Sequence, residues 1–216
     1  MTSTVFSNVE HYAEMLAGQS TVHPVVEEME ARAEAQAFPI VGRAVAVFLE
    51  LQARSIDARR IFEMGSGFGY SAHWFAKAVG PEGEVICSDP DPELARDAAG
   101  YLEAAGLADR VRYHVEPALS ALERETGEFD IVFCDVAKDE YPASWRAARQ
   151  RIRVGGLYIC DNVLWRGTVL AGGDVEGFPG WTRPVREHNL LVAGDPDFVS
   201  ALNPVRDGVM VALRLR

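Results

Sequence analysis

The stretch Ile61–Ser71, IFEMGSGFGYS, decides the fold. Its apolar start reads as a buried strand that ends at Glu63, turns through Gly65, Gly67 and Gly69, and enters a helix. Closely spaced glycines let the backbone approach a ligand where a side chain would block it, and the following helix aims its first N–H groups at that ligand. The spacing is E-x-G-x-G-x-G. A dinucleotide fingerprint, G-x-G-x-x-G, would need its third glycine where this chain has Tyr70. An acid two residues ahead of the first glycine suits a ligand with a cationic amino-acid part better than a pyrophosphate. S-adenosylmethionine (SAM), with a sulfonium and an ammonium, fits that description.

Outward from this stretch, strands and helices alternate. Helix is expected over 70–79, strand over 84–88, helix over 92–105, strand over 110–114, helix over 118–125 and strand over 129–134. Helix over 141–151 and strand over 156–160 follow. Such alternation specifies a parallel sheet covered on both faces. Residues 163–180 form a glycine-rich loop, 181–193 a helix, and 197–203 with 208–215 two antiparallel strands joined by a short turn. Ahead of the sheet, residues 5–54 read as a helical cover, with Val9, Tyr12 and Leu16 on one face. The whole chain, 1–216, is expected to be one domain: a helical cover over 1–54 and a sheet core over 55–216.

Four successive strands end in an acid: Glu63, Asp89, Asp135 and Asp161. Ligands of open α/β sheets bind beyond these strand ends. Asp89, 20 residues past Gly69, is placed to accept hydrogen bonds from two ribose hydroxyls, with Asp91 as the cap of the next helix. Asp135, Asp161 and Asn162 offer three oxygen ligands on neighbouring strands, a set that suits a hard divalent cation such as Mg²⁺, Mn²⁺ or Ca²⁺.

Composition narrows the partners. A formal charge of −11 weighs against a surface that wraps nucleic-acid backbones. No run of 18 apolar residues suggests a membrane span and no basic-apolar leader opens the chain, so a cytoplasmic protein is expected. Cys87, Cys134 and Cys160 lie in apolar strands without metal spacing and read as buried thiols, and His11 and His23 as solvated. Of 21 basic residues only Lys77 and Lys138 are lysine. Lysine, unlike arginine, can lose its proton when its surroundings depress its pKa, which singles out Lys138.

These residues resemble the cation-dependent O-methyltransferases, the group of catechol and caffeoyl-coenzyme A O-methyltransferases. EMGSGFGYS, Asp89, FDIVFCDVAK with Tyr141, and GGLYICDNVLWRG carry the likeness, which runs from about Val41 to the C-terminus. The resemblance implies a Rossmann-like SAM methyltransferase fold: a seven-stranded, mostly parallel sheet with an antiparallel last strand. It implies SAM contacts at Val41, Glu63, Gly65, Ser66, Ser71, Asp89, Ala118 and Asp135. It further implies metal ligation by Asp135, Asp161 and Asn162, and Lys138 as general base beside Asp135. Trp165 and Lys138 would meet a small hydroxylated acceptor, and a homodimer is expected. Plant members read D-A-D-K where this chain has D-V-A-K, so Ala137 lacks a second carboxylate and a plant-type coenzyme A ester is disfavoured. Glu116 also stands where glycine is common. The alternative acceptor is a hydroxylated uridine of tRNA, as in some bacterial relatives.

Overall fold

The computed structural model describes residues 11–19 and 22–216; Val9 lies outside them. Residues 11–18 are helical (α1), followed by α2 (Pro24–Gln36), α3 (Gly42–Ser55), β1 (Arg60–Met64), α4 (Tyr70–Val79), β2 (Glu84–Ser88) and α5 (Pro92–Ala104). Then come β3 (Val111–His114), α6 (Ala118–Arg124), β4 (Phe129–Cys134), α7 (Tyr141–Ala148), β5 (Ile152–Cys160), α8 (Thr168–Ala171), α9 (Thr182–Ala193), β6 (Phe198–Asn203) and β7 (Val209–Arg214). The sheet order is β3-β2-β1-β4-β5-β7-β6. Strands β1 to β5 are parallel, and β7 runs antiparallel to both β5 and β6. This is the seven-stranded Rossmann-like arrangement expected.

Parallel strands covered on both faces must be apolar on both, and β1 and β4 show it. Ile61, Ile131 and Phe133 point into one core with Phe75 of α4 and Leu49 of α3. Phe62, Val132 and Cys134 point into the other with Trp145 of α7 and Val185 of α9. Each fully buried Phe, Ile or Val side chain contributes about 1.5–3 kcal/mol. The three cysteines are free and buried within these layers. Chain order reverses between β1 and β4, which opens a crevice at the carboxyl ends of the two strands.

The structure departs from the sequence-based expectations in four places. Strand β5 starts at Ile152 rather than 156, because its pairing with β4 shifts register between Phe129 and Ile131 and the two glycines absorb the irregularity. A Cβ at Gly156 would lie 2.7 Å from the Asp130 carbonyl oxygen. Helix α7 stops at Ala148, where Arg151 turns its guanidinium back to the carbonyls of Leu122 and Glu125. The 163–180 loop contains a 3-10 turn at Trp165–Gly167 and the short α8. Finally, the α1 face carrying Tyr12 and Leu16 is not the buried one: Tyr12 is 58% and Leu16 50% exposed, while Ala17 is buried. His11 and His23 are exposed as expected, and His23 also caps α2 by accepting from the Val25 N–H at 3.3 Å.

Candidate active site

The glycine turn is built by close backbone approach. Gly65, Gly67 and Gly69 all have positive φ (82°, 51° and 86°). A Cβ at Gly65 would sit 2.4 Å from the Asp135 carbonyl oxygen, so only glycine lets the backbone leaving β1 pass this close to the end of β4. The Gly65 and Ser66 N–H groups both donate to the Ser88 carbonyl at 3.0 Å, and the Ser88 N–H donates to Ser66 Oγ at 3.1 Å. Tyr113 donates its hydroxyl to the Gly67 carbonyl at 2.7 Å. Phe38 stacks on Phe68, ring centroids 4.9 Å apart, so the segment between α2 and α3 closes over the turn.

Asp89 stands at the end of β2 with its carboxylate accepting from the N–H groups of Gly67, 3.2 Å, and Asp91, 3.0 Å. Asp91 caps α5 through the Glu93 N–H at 2.8 Å, as expected. Glu63 is fully buried beneath the turn. One of its oxygens has no partner among the described residues, the other accepts from the Cys87 thiol at 3.4 Å, and the hydroxyls of Ser71 and Ser66 lie close enough to favour its charged form weakly. Burial pushes its pKa up to about 7, because a carboxylate taken out of water without a counter-charge favours its neutral form.

One step along the sheet, β4 and β5 end side by side in Asp135 and Asp161, joined by the Asp161 N–H to the Cys134 carbonyl at 3.1 Å. Lys138, on the 3-10 turn Lys138–Glu140, is buried. Its ammonium donates to Asp135 Oδ1 at 3.0 Å, Asn162 Oδ1 at 2.8 Å and the Val136 carbonyl at 3.3 Å, and lies 4.8 Å from the centre of the Tyr141 ring. Tyr141 donates its hydroxyl to the Asp161 carbonyl at 2.7 Å. The expected depression of the lysine pKa is not found. Burial is the largest influence and acts downward, but the Asp135 carboxylate outweighs it and holds Lys138 above its ordinary value.

Asp161 is 3% exposed, and its Oδ1 has no partner among the described residues. Burial, reinforced by the neighbouring Asp135, pushes its pKa up to about 7. Two carboxylates at neighbouring strand ends, one with an unsatisfied oxygen, and an adjacent amide are a donor set that could hold a hard cation. No trio of His, Cys, Asp or Glu forms a metal cluster among the described residues; the donor set here is two acids and an amide. Asn162 has φ 54°, left-handed backbone that asparagine tolerates, and this turns its side chain back beside Asp135.

These groups share one open cleft of about 1570 Å³, room for a nucleoside and a second molecule. Of the residues expected from sequence, Val41, Gly65, Ser66, Ser71, Asp89, Asp135, Lys138, Asp161, Asn162 and Trp165 line it. Glu63 and Ala118 are not among the lining residues: Glu63 is buried beneath the turn, and Ala118, the first residue of α6, packs into the core. Trp165 is 7% exposed and packs with Phe178 and Trp181, centroids 5.6 Å from each.

Sequence reasoning missed several of the cleft's walls. Glu30 of α2 accepts from the Tyr70 hydroxyl at 2.6 Å and from Arg43 Nε at 3.0 Å, tying the helical cover to the glycine turn. Arg206, from the β6–β7 turn, donates to the Ile40 carbonyl at 3.1 Å. Phe178 and Trp181 also line the cleft. The run F-P-G-W around them carried a signal, since paired aromatics in a glycine-rich loop seldom stay solvated.

A family model described as O-methyltransferase matches residues 17–215. Among curated proteins, a catechol O-methyltransferase of Mycobacterium tuberculosis is 40% identical over 128 residues, 59% of this chain and 58% of its own length. A caffeoyl-CoA O-methyltransferase of Eucalyptus gunnii is 30% identical over 177 residues, 78% of this chain and 71% of its own. The chain thus spans somewhat over half of the first relative and about seven tenths of the second. Among solved structures, the Bacillus cereus O-methyltransferase in complex with SAH is superposable with a TM-score of 0.83 at 26% identity, covering 96% of this chain and 97% of that one. With a family model spanning nearly its full length and a cleft at the sheet's switch point, the chain belongs to the O-methyltransferase family.

Proposed function

We propose that the protein transfers a methyl group from SAM to a hydroxyl of a small acceptor with two adjacent oxygens, in a divalent-cation-dependent reaction. The observation that carries this is the convergence of Asp135, Asp161 and Asn162 with Lys138 beside a glycine turn in one cleft. The B. cereus relative's complex with SAH supports SAM as donor. The donor's fit here rests on three features: the glycine turn that lets backbone approach the ligand, Asp89 at the second strand end, and the uncompensated Glu63 carboxyl beneath, which favours a cationic ligand.

Asp135, Asp161 and Asn162 would hold the cation, and the orphaned Asp161 oxygen fits that role. A divalent cation supplies Lewis acidity, lowering the pKa of an acceptor hydroxyl. The protein's own groups do the rest. Tyr141 fixes the backbone at Asp161, and Lys138 stands where it can receive the hydroxyl proton at Nζ. Burial works to lower the lysine's pKa, while Asp135 first, then Cys160 and Asp161, oppose it, so the amine would act as base where the charges of Asp135 and Asp161 are offset. The acceptor oxygen then forms the new O–C bond as the methyl C–S bond breaks, leaving SAH. Asp89 and the glycine turn orient the donor, while Phe38 and the Glu30–Tyr70 contact keep water from the reacting carbon.

The same reading takes the protein as a cytoplasmic homodimer, supported by exposed Tyr12, Leu16 and Leu51 on the helical cover; among the described residues no helix is long and apolar enough to cross a membrane. Incubation with labelled SAM, Mg²⁺ and either a panel of catechols or undermodified tRNA tests the function. Label is expected in a catechol. Label only in tRNA, or in neither, would contradict it.

A further inference from the structure

We propose that Arg166 and Arg206 form a carboxylate-binding pair at the mouth of the cleft, so that the acceptor is an aromatic acid carrying two adjacent oxygens. This rests on the methyl-transfer reading above and names the acceptor class for the same site.

The two arginines come from segments far apart in sequence that the fold ties together. The Val163 N–H donates to the Gly208 carbonyl at 3.0 Å and the Leu164 N–H to the Asp207 carbonyl at 2.8 Å, while the Arg166 N–H donates to Asp207 Oδ1 at 2.6 Å. Both segments adjoin the acceptor end, because residue 163 directly follows Asp161 and Asn162. Both arginines line the cleft.

Each sits in left-handed backbone, φ 53° at Arg166 and 49° at Arg206. Glycine takes that conformation freely, whereas an L side chain strains it. Asn162 and Trp165, at φ 54° and 44°, share this conformation, so strained non-glycine positions gather at this cleft, two of them arginine, and such strain is kept where the side chain is required. The Arg166 guanidinium makes no salt bridge or hydrogen bond among the described residues, and the neighbouring Asp207 carboxylate feels both guanidinium charges only through space. Arg206 donates to one carbonyl and approaches Glu14 only to 3.9 Å. Most arginines elsewhere in this chain are spent: Arg60, Arg112 and Arg149 each hold two carboxylates. The unspent donors at the mouth form the planar forks that match a carboxylate.

Aromatic walls give the ring its place. Trp165, Phe178 and Trp181 meet at centroid distances of 4.8 to 5.6 Å and line the same cleft as Asp161, Arg166 and Arg206. A ring held there with its oxygens toward Asp161 turns an acidic substituent outward, to the arginines. In a protein of net charge −11 such a local cationic pair also offsets the repulsion an anionic substrate meets on approach.

The test compares protocatechuate and caffeate with catechol and with caffeoyl-coenzyme A, for wild type, Arg166→Gly, Arg206→Gly and the double variant. Glycine removes each guanidinium without adding backbone strain; Arg206→Gly also gives up the bond to the Ile40 carbonyl, so urea denaturation first establishes that each variant is folded. Two readouts are taken: the ratio of kcat/KM for acid over catechol, and the Kd of each acceptor from quenching of tryptophan fluorescence with SAH present. Wild type is expected to favour the acids about tenfold or more, the worth of one charge-assisted hydrogen bond. Each single variant should lose most of that ratio through KM, and the double variant should bring it close to one. Absence of any preference, or a preference that survives the double variant, would overturn the proposal. So would caffeoyl-coenzyme A outcompeting caffeate in a manner abolished by the double variant, since the pair would then read phosphates. If none of these compounds accepts a methyl group, the methyl-transfer reading fails, while the fluorescence Kd values still decide the arginine pair.

Discussion

Replacing Glu63 by Gln should make the ligand-free protein more stable at alkaline pH while leaving it nearly unchanged in mild acid. Glu63 is fully buried, with one oxygen unpartnered among the described residues and a thiol donating to the other, and the weak help of Ser71 and Ser66 does not offset its burial. Its folded pKa is about 7 against an ordinary 4.5. A raised carboxyl pKa means the folded state binds the proton more tightly than the unfolded one. No cost therefore arises below pH 4.5; it grows as pH rises and is complete above pH 7. A difference of about 2.5 units at about 1.4 kcal/mol each gives roughly 3 kcal/mol. Urea denaturation of wild type and Glu63→Gln at pH 5 and pH 8 measures it, and the comparison cancels other titrating groups common to both. The stability difference should shift in favour of Gln by roughly 2–3 kcal/mol between the two pH values, because a small part of the cost is already present at pH 5. SAM should also bind the variant more weakly at pH 8, because the negative charge that attracts its ammonium and sulfonium is gone. Parallel pH profiles for the two proteins would refute the argument.

Three further outcomes follow from the same structure. Gly65→Ala should lose about 2 kcal/mol or more in urea denaturation and weaken SAM binding in calorimetry, from left-handed strain and the clash with the Asp135 carbonyl. His188 is fully buried between Tyr158 and Asn189, and burial pushes its pKa down to about 4; its stabilisation is complete above pH 6.5 and lost as pH falls through 4. His188→Gln should therefore show a shallower acid loss of stability than wild type. Lys138→Met should lower kcat by about a hundredfold or more while leaving the calorimetric Kd for SAM within about twofold; an unchanged kcat would remove Lys138 from proton transfer.

Much of the fold was legible because each buried parallel strand is a continuous apolar run closed by an acid or a glycine. Phe129–Cys134 and Tyr70–Val79 need nothing beyond their own residues to be placed. The acids Asp89, Asp135 and Asp161 were legible for the same reason, since a strand end fixes where its last side chain stands. What could not be read depends on distant contacts. The start of β5 hides behind two glycines that look like a turn until Asp130 is seen packed against Gly156. Trp165, Arg166 and Arg206 adopt left-handed backbone only because the 163–166 segment and the β6–β7 turn hydrogen-bond to each other. The raised pKa of Lys138 needed the Asp135 carboxylate at 3.0 Å, which residue scarcity alone does not supply.

Methyl transfer from labelled SAM to protocatechuate, followed with Mg²⁺, with excess chelator, and with Mg²⁺ restored, tests the central claim most directly. Transfer should stop on chelation, return with the cation, and be absent under all three conditions in Asp161→Asn. Undiminished transfer in chelator, or in Asp161→Asn, would contradict a cation held by Asp135, Asp161 and Asn162.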